Sequence, residues 1–334
     1  MPSDSENRSV EHFVTLFDNN FLPMGLALHR SLTEHGRPFR LWILCMDDLV
    51  EQHLAQLQLP DVSLIPLREV EDVRLLAVKP LRSRSEYCWT LTPFAPQFVF
   101  ERDSAVKRVT YLDADLFFFA SPGPFFEEFE RSGKAVLVTE HAYDPHYANK
   151  ARRSGRFCVQ FITFLRSGGA LKVMQWWQDR CLEWCYARVE GGKYGDQKYL
   201  DKWPVLFEHE VHVLQQKNRT LAPWNVRYYQ TIAEGRKALP VFYHFHGLRL
   251  VAPSRVLLYS GYDLGDAAAG FYESYCRSFQ ASLDSLRRQN IPIPFLPLGN
   301  GLMGRLLRWK RKIWQGEGYA FLPDAQRPDK SRCS

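Results

Sequence analysis

The sequence predicts an α/β protein whose sheet is covered by helices, and two observations lead to this prediction. Short apolar runs rich in β-branched and aromatic residues alternate with helical patterns over residues 12–67. Such alternation at short spacing is typical of a parallel sheet. The 334 residues are 46% hydrophobic and 24% charged, which is the usual balance of a globular chain and excludes an intrinsically disordered one.

The first part of the chain supplies strands and helices in alternation. The run HFVTLF is interpreted as a buried strand, because it is apolar and ends in the turn-forming residues Asp18-Asn19-Asn20. Apolar residues at helical spacing and further apolar runs follow it. The predicted elements of this part are strands at 12–17, 39–46 and 62–67 and helices at 23–35 and 50–59.

The rest of the chain continues the pattern. Aromatic residues within 71–105 are spaced as in a helix, and 169–189 is predicted to be a long amphipathic helix that ends before two glycines. Further strands are predicted at 105–119, 135–140, 157–165, 211–214 and 241–247. We expect one domain over 11–265, after a flexible N-terminus at 1–10 and before a C-terminal extension at 266–334.

Several classes of protein are excluded by features that the sequence lacks. The N-terminus has no basic segment followed by an apolar one, which is the pattern of a secretory signal, and no run reaches the roughly 18 apolar residues of a spanning helix. The seven cysteines include no C-x-x-C pair, and Cys181 and Cys185 are interpreted as reduced core thiols. We therefore expect a cytoplasmic protein. The net charge of +6 is modest, so nucleic acid is not an expected partner.

The strongest chemical signal is the carboxylate pair Asp113 and Asp115, which directly follows RVTYL. A carboxylate at the C-terminal end of a buried parallel strand lies at the edge where open α/β sheets bind ligands. The two carboxylates repel each other, and Mn²⁺ or Mg²⁺, which prefer oxygen ligands, would relieve that repulsion and bridge to diphosphate oxygens. The pattern predicts such a metal site, although a helix cap or a solvated turn also explains a D-x-D sequence.

Four segments, in this order, resemble a known enzyme family. They are HFVTLFDNNFLPMGLALHRSL, KRVTYLDADLFFFASPGPFF, Gly195-Asp196-Gln197 and a late strand of aromatic and His residues. Together they resemble the GT-A glycosyltransferases of family eight, which include glycogenin and the bacterial lipopolysaccharide galactosyltransferases, over roughly residues 10–250. The resemblance implies a GT-A (Rossmann-like) nucleotide-diphospho-sugar transferase fold with a mixed central sheet flanked by helices.

The resemblance also implies which residues bind the metal. Asp113 and Asp115 would be ligands, with Ala114 between them in the donor-binding turn, and a histidine of YHFHG would complete the site. The family pattern H-x-x-G favours His244. Because side chains alternate along a strand, His246 would point to the same face, so either histidine could bind the ion. A hydrogen-bonded core histidine is the alternative for both.

Two further pairs are implied to bind the nucleotide. Asp18 and Asn19 match the turn that holds the base and the ribose, whereas ordinary turn chemistry is the alternative. Arg82 and Arg84 would bind the diphosphate as cations, whereas a solvated loop is the alternative.

Asp196 and Gln197 resemble the family residues at the donor sugar and the reaction centre. Asp196 is also a good helix-capping residue, and the two interpretations are compatible. The chain departs from the family at 157–161, where FCVQF replaces the usual Asn and Gly, so that Gln160 would take over a polar contact. Trp224 would stack on an acceptor sugar or pack in the core.

The sequence thus predicts a metal-dependent glycosyltransferase. The donor would be a nucleoside-diphosphate sugar, with UDP favoured. The acceptor would be a glycan of the bacterial cell envelope or lipopolysaccharide, and the family implies retention of anomeric configuration. The alternatives are a sugar-nucleotide nucleotidyltransferase and a non-catalytic carbohydrate-binding protein at a membrane surface.

The C-terminal segment 300–314 has the pattern of an interfacial membrane helix. Apolar residues recur on one face and basic residues flank them, which favours binding to an anionic bilayer. The apolar positions are Leu302, Leu306, Trp309 and Ile313, and the basic ones are Arg305, Arg308, Arg311 and Lys312. We expect this segment to hold the protein on the inner face of the cytoplasmic membrane, near a lipid-linked acceptor.

Overall fold

A computed structural model of the chain describes residues 10–232, 239–296 and 317–322. The strands are β1 (Glu11–Phe17), β2 (Phe39–Cys45), β3 (Val62–Pro66), β4 (Arg108–Leu112), β5 (Leu116–Phe118), β6 (Val136–Glu140), β7 (Phe157–Leu165), β8 (Val211–Val213), β9 (Thr220–Leu221), β10 (Phe242–His244), β11 (Arg249–Ala252), β12 (Arg255–Ser260) and β13 (Glu317–Phe321). The helices are α1 (Leu22–His35), α2 (Asp48–Leu57), α3 (Val73–Val78), α4 (Arg84–Leu91), α5 (Ala95–Arg102), α6 (Gly123–Ser132), α7 (Ala151–Ser154), α8 (Gly168–Glu183), α9 (Trp203–Leu206), α10 (Val226–Ile232) and α11 (Ala269–Arg288).

A seven-stranded mixed sheet lies at the centre, with strand order β3–β2–β1–β4–β7–β6–β8. Strands β3, β2, β1 and β4 pair in parallel with one another, as the alternating pattern predicts. Strand β7 runs antiparallel to both β4 and β6, and β8 is parallel to β6. The α/β class and the mixed sheet flanked by helices are therefore confirmed.

Alternate side chains of each central strand enter two different cores. Val14 of β1 is buried in one core with Phe98 of α5 and Trp177 of α8. Phe13, the preceding residue, is buried in the other core with Phe126 of α6. This period of two is the geometry of a strand buried on both faces. Each large apolar side chain that is fully buried contributes about 1.5–3 kcal/mol, which fixes the register of the sheet.

A small sheet supports one end of the central sheet. Strand β5 pairs antiparallel with β10, and β10 pairs in parallel with β9. Helix α11 packs beneath it, since the ring of Tyr275 lies 3.9 Å from that of Phe245 and 5.6 Å from that of Phe117. The region after residue 265, which was expected to be an extension, thus begins with a helix that shares a hydrophobic core with the small sheet. A third sheet, β11–β12–β13, is antiparallel.

Three predicted elements are shorter in the structure. The strand predicted at 105–119 is divided into β4 and β5, because the backbone N–H of Leu116 bonds to the carbonyl of Asp113 and closes a turn. The strand predicted at 241–247 covers only β10. The helix predicted at 169–189 ends at Glu183, because Trp184 takes an extended conformation that buries its ring.

The segment 300–314 lies outside the described residues, as does most of the N-terminus at 1–10. Within the described ranges, no helix is both long enough and apolar enough to cross a bilayer.

Candidate active site

A cavity of about 520 Å³ opens at the carboxyl ends of β1 and β4. Of the predicted site residues, those that line it are Asp18, Arg84, Asp113, Ala114, Asp115, Asp196, Gln197, His244 and His246. Asn19 and Arg82 do not line it. Five segments that are distant in sequence therefore meet in one cavity at the strand ends, which is where open α/β sheets bind ligands.

The two carboxylates of the D-x-D pattern occupy the turn between β4 and β5. The backbone N–H of Asp113 bonds to the carbonyl of Gln160, and the carbonyl of Asp115 accepts the N–H of Phe245. The hydroxyl of Tyr111 donates to the Asp113 carboxylate at 3.1 Å. The turn is thus held by β7 and by the end of β10, and both carboxylates have a fixed direction.

His244 completes this group from the end of β10. Its Nε2 lies 3.0 Å from Oδ1 of Asp115 and 3.8 Å from Oδ2 of Asp113. On the other side of the ring, Nδ1 lies 2.8 Å from Oε1 of Gln160, whose amide N–H in turn faces the hydroxyl of Thr139 at 3.5 Å. With the amide assigned this way, Nδ1 is the donor and Nε2 is directed at the carboxylates.

Asp113, Asp115 and His244 place two carboxylates and an imidazole close together in a buried site. Burial raises the pKa of Asp113, and repulsion from Asp115 adds to the rise. Burial would also raise the pKa of Asp115, but the charge and hydrogen bond of His244 outweigh it and hold that pKa below its usual value. Two carboxylates concentrated beside one imidazole favour a cation at this point.

The residues present fit a divalent metal ion. One ligand atom from each of Asp115, His244 and His246 lies within 4.8 Å of the others. Although β10 ends at His244, both histidines therefore reach the same site. Carboxylate and imidazole ligands suit Mn²⁺, and carboxylates suit Mg²⁺. A second set that also uses His244 contains Asp113 and the thiol of Cys158.

Asp196 and Gln197 approach the same cavity from the segment after α8. Gly195 precedes them with a φ of +53°, a left-handed conformation that favours glycine. The indole N–H of Trp177 donates to the carbonyl of Asp196 at 2.9 Å. The side-chain amide of Gln197 donates to the carbonyl of Ser154 at 2.8 Å.

The Asp196 carboxylate is buried without a capping role. Asp196 precedes a short 3-10 helix, but its side chain makes no capping hydrogen bond, and its Oδ2 has no hydrogen-bond partner among the described residues. Burial raises its pKa to about 7, with a further contribution from the charge of Asp113. A buried polar atom without a partner is costly, and it is typical of a site that a ligand completes.

Arg84 joins two strand ends at another wall of the cavity. Its Nε lies 2.6 Å from the carboxylate of Asp18, after β1, and its terminal nitrogen contacts the carboxylate of Asp47, after β2. Asn19 lies beside this group, with its side-chain oxygen 2.8 Å from Nδ1 of His53. Arg82 points elsewhere, because its guanidinium stacks on the ring of Tyr186 at 3.9 Å.

Arg249 and His141 are among the residues of the cavity wall that sequence reasoning missed. Arg249 stands near Asp115, whose pKa it lowers, and its guanidinium lies 5.3 Å from the ring of Phe21. The only signal for it is its position just after HFHG. His141 is buried, and burial lowers its pKa to about 3, so its ring is neutral.

Trp224 lies under the two histidines of the predicted metal site. Its ring contacts those of His244 and His246 edge to face, and its indole N–H donates to the carbonyl of His141 at 2.7 Å. The ring is buried but still borders the cavity. Trp224 therefore supports the histidines in addition to forming part of the wall.

Two relatives establish the family of this chain. YfnD of Bacillus subtilis (strain 168) is 30% identical over 288 residues, which are 84% of this chain and 92% of that protein. YfnF of the same organism is 32% identical over 255 residues, 73% of this chain and 84% of that protein. The chain belongs to the family of YfnD and YfnF. Both relatives are described as uncharacterized, and no family model matches the chain.

Solved structures show the fold that this YfnD-like chain adopts. The galactosyltransferase LgtC, in complex with donor and acceptor sugar analogs, superposes with a TM-score of 0.52 at 15% identity, over 83% of this chain and 99% of that one. The bifunctional glycosyltransferase WbbM superposes with a TM-score of 0.51 at 15% identity, over 86% and 53% of the two chains. The GT-A fold expected from the sequence is thereby confirmed.

Proposed function

We propose that this protein transfers a sugar from a nucleoside-diphosphate sugar, with UDP favoured, to a glycan acceptor, and that Mn²⁺ or Mg²⁺ is required. The observation that carries the proposal is the meeting of Asp113, Asp115 and His244 in one cavity with Asp196 and Gln197. The GT-A fold supports the same activity, because glycosyltransferases share it.

The donor nucleotide is assigned to the wall formed by the end of β1 and α4. Asp18 lines this wall and would bind the base and ribose together with Asn19, whose side chain would have to leave its contact with His53 to take part. Arg84 holds Asp18 in place while presenting a positive charge. Arg249 lies near Asp115 and has no carboxylate partner within the described ranges. We assign both arginines to the diphosphate, because phosphate oxygens are bound well by guanidinium groups.

The metal would be held by Asp113, Asp115 and a histidine, with His244 favoured and His246 also within reach. When bound, it would neutralise the charge that develops on the departing diphosphate. His244 keeps its Nε2 directed at the carboxylates through Gln160, and Tyr111 orients Asp113. The work of these side chains is positioning, which lowers the entropic part of the barrier.

Asp196 and Gln197 would contact the donor sugar. The unpartnered oxygen of Asp196 is a hydrogen-bond acceptor for a sugar hydroxyl in a buried site, where such a bond is strong. In the reaction, the bond between the anomeric carbon and the diphosphate breaks and the acceptor oxygen bonds to that carbon. The acceptor proton leaves with a diphosphate oxygen. Retention of configuration and an acceptor in the bacterial envelope are part of the proposal.

The test is release of nucleoside diphosphate from a panel of sugar nucleotides, with and without Mn²⁺. Asp115→Asn should lower turnover at least ~100-fold, on the scale of losing a central electrostatic contact. Asp48→Asn is the matched control, because the Asp48 carboxylate is almost fully exposed at the start of α2. Full activity in chelator would contradict metal dependence. Release of pyrophosphate from a nucleoside triphosphate and a sugar phosphate would instead indicate a nucleotidyltransferase, and no turnover at all would favour a carbohydrate-binding protein.

A further inference from the structure

A basic segment borders the cavity at residues 145–156. It forms a 3-10 helix, Pro145–Lys150, followed by α7, and its Ser154 lines the cavity. The segment contributes Lys150, Arg152 and Arg153 to the surface beside the cavity.

These three cations lack the counter-charges that are common elsewhere on the surface. None of Lys150, Arg152 and Arg153 has a carboxylate within 4.0 Å in the part of the chain that the structure describes, whereas Arg156 is paired with Glu140. Lys150 is partly buried; burial lowers its pKa, and the charge of Arg153 lowers it further. Positive charge held together without a partner favours the binding of an anion.

Contacts with aromatic rings place two of the cations beside residues that line the cavity. The Lys150 ammonium lies 4.4 Å from the ring centroid of Tyr262, and the Arg153 guanidinium lies 4.8 Å from that of Tyr194. Both tyrosines line the cavity. Rings of this kind combine an apolar face, on which a sugar ring can pack, with a hydroxyl that can bond to it.

The segment is also tied to the residues of the reaction centre. The Gln197 amide bonds to the carbonyl of Ser154, and the Lys198 ammonium bonds to the carbonyl of Ala151 at 3.0 Å. A group bound at the basic segment is thereby positioned relative to Gln197. The donor diphosphate is proposed to bind Arg84 and Arg249, neither of which belongs to this segment.

We infer that this rim, defined by Lys150, Arg152, Arg153, Tyr194 and Tyr262, is the acceptor subsite, and that the acceptor glycan carries a negative charge, as a carboxylate or a phosphate. The inference rests on the proposed glycosyl transfer. A membrane contact fits less well, because none of the described residues at 141–158 is an exposed large apolar side chain of the kind that inserts into lipid.

The experiment uses matched probes that differ in charge. Binding to the full-length protein with Mn²⁺ and UDP is measured by saturation-transfer NMR titration for p-nitrophenyl β-glucuronide against p-nitrophenyl β-glucoside, and for glucose 6-phosphate against glucose. At least one charged probe should bind about tenfold more tightly than its neutral partner, the range expected for a charge-assisted contact. Which pair shows the difference identifies carboxylate or phosphate.

Two variants decide whether the rim is responsible. The double variant Lys150→Gln/Arg153→Gln should lose the preference for charge while keeping its affinity for UDP and its Tm. Lys172→Gln, on the exposed side of α8, is the control and should keep the preference. Equal binding of charged and neutral probes, or a preference that persists in the double variant, would overturn the inference.

Two other outcomes separate this inference from its neighbours. Hydrolysis of a sugar nucleotide in water reports the proposed function independently of any acceptor. If the protein hydrolyses the donor but does not prefer charged probes, the inferred acceptor subsite is wrong and the proposed function stands. If vesicles containing phosphatidylglycerol bind the wild type but not the double variant, and the glycosides bind neither, the rim is a membrane contact and the inference is overturned.

Discussion

The imidazole Nδ1 of His244 lies 2.8 Å from the side-chain oxygen of Gln160, although the two residues are 84 positions apart in the chain. Gln160 is fully buried on β7 and His244 ends β10, so two different sheets meet at this hydrogen bond. The bond fixes the ring so that Nε2 is directed at Asp113 and Asp115. Partners of this kind, one step behind a metal ligand, set the orientation and basicity of the ligand.

Gln160 is therefore predicted to control metal affinity. Gln160→Leu removes the acceptor for Nδ1–H, and we expect Mn²⁺ to bind about 10–100-fold more weakly. Gln160→Glu keeps an acceptor at the same distance and should retain most of the affinity. Mn²⁺ binding measured by electron paramagnetic resonance is the readout, so that the result does not depend on activity. A leucine variant that binds Mn²⁺ like the wild type would show that the contact is only structural.

Asp196 is predicted to make stability depend on pH near neutrality. Its folded pKa of about 7 lies above the ordinary value of an unfolded aspartate, 3.8, so the folded state binds the proton more tightly. The stabilising effect of that proton is complete below the unfolded pKa and is lost as the pH rises through the folded one. Between these limits the metal-free protein should lose up to about 1.4 kcal/mol per pH unit.

The matched variant for this prediction is Asp196→Asn, which stays neutral and has nearly the same shape. Chemical denaturation in EDTA between pH 4 and pH 9 should show wild type and variant converging near pH 4, with the variant progressively the more stable as the pH rises and the difference levelling off above pH 7. Its turnover should fall, because the donor sugar loses a charged acceptor. Parallel stability curves would show that Asp196 is solvated in the folded protein.

Much of the N-terminal half of the fold could be predicted because its signals are local. Buried parallel strands read as apolar runs, and the predicted bounds of the first three strands and two helices differ from the structure by two residues at most. The carboxylates at the end of β4 were found for the same reason. The long helix α11 was not predicted, although Tyr272, Tyr275, Phe279 and Leu283 recur at helical spacing and are buried.

The contacts that complete the candidate site could not be predicted from local pattern. Gln160 meets His244 only because β7 runs antiparallel beside β4 and because β10 joins β5 in a second sheet. Arg249 enters the wall only because the chain turns after β10. Such contacts depend on the topology of the chain, which a local sequence pattern does not contain.

Mutation can distinguish the roles of Arg82 and Arg84, the two arginines that the sequence predicts at the diphosphate. Arg84 bridges Asp18 and Asp47, so Arg84→Gln leaves two neighbouring carboxylates without their cation and should weaken UDP binding about 10–100-fold. Arg82→Gln is the comparison, because Arg82 stacks on Tyr186 outside the cavity and should leave UDP affinity within about twofold. Isothermal titration with UDP and Mn²⁺ measures both. An effect of Arg82 as large as that of Arg84 would mean that the loop before α4 rearranges when nucleotide binds.

The last prediction concerns the C-terminal segment 300–314, which lies outside the described residues, so that the prediction rests on the sequence alone. Simple truncation before it would be misleading, because β13 (Glu317–Phe321) follows it and pairs with β12. Charge removal avoids this problem. The variant replaces the four basic residues Arg305, Arg308, Arg311 and Lys312 with Gln.

Each cation near an anionic bilayer contributes about 1 kcal/mol, so sedimentation of this variant with phosphatidylglycerol vesicles at low salt should fall steeply, while hydrolysis of the sugar nucleotide and Tm stay unchanged. Trp309→Ala tests the apolar face in the same assay, because Trp prefers the membrane interface. If the wild-type protein does not sediment with such vesicles, the segment has another role, and a lipid-linked acceptor would have to reach the cavity without it.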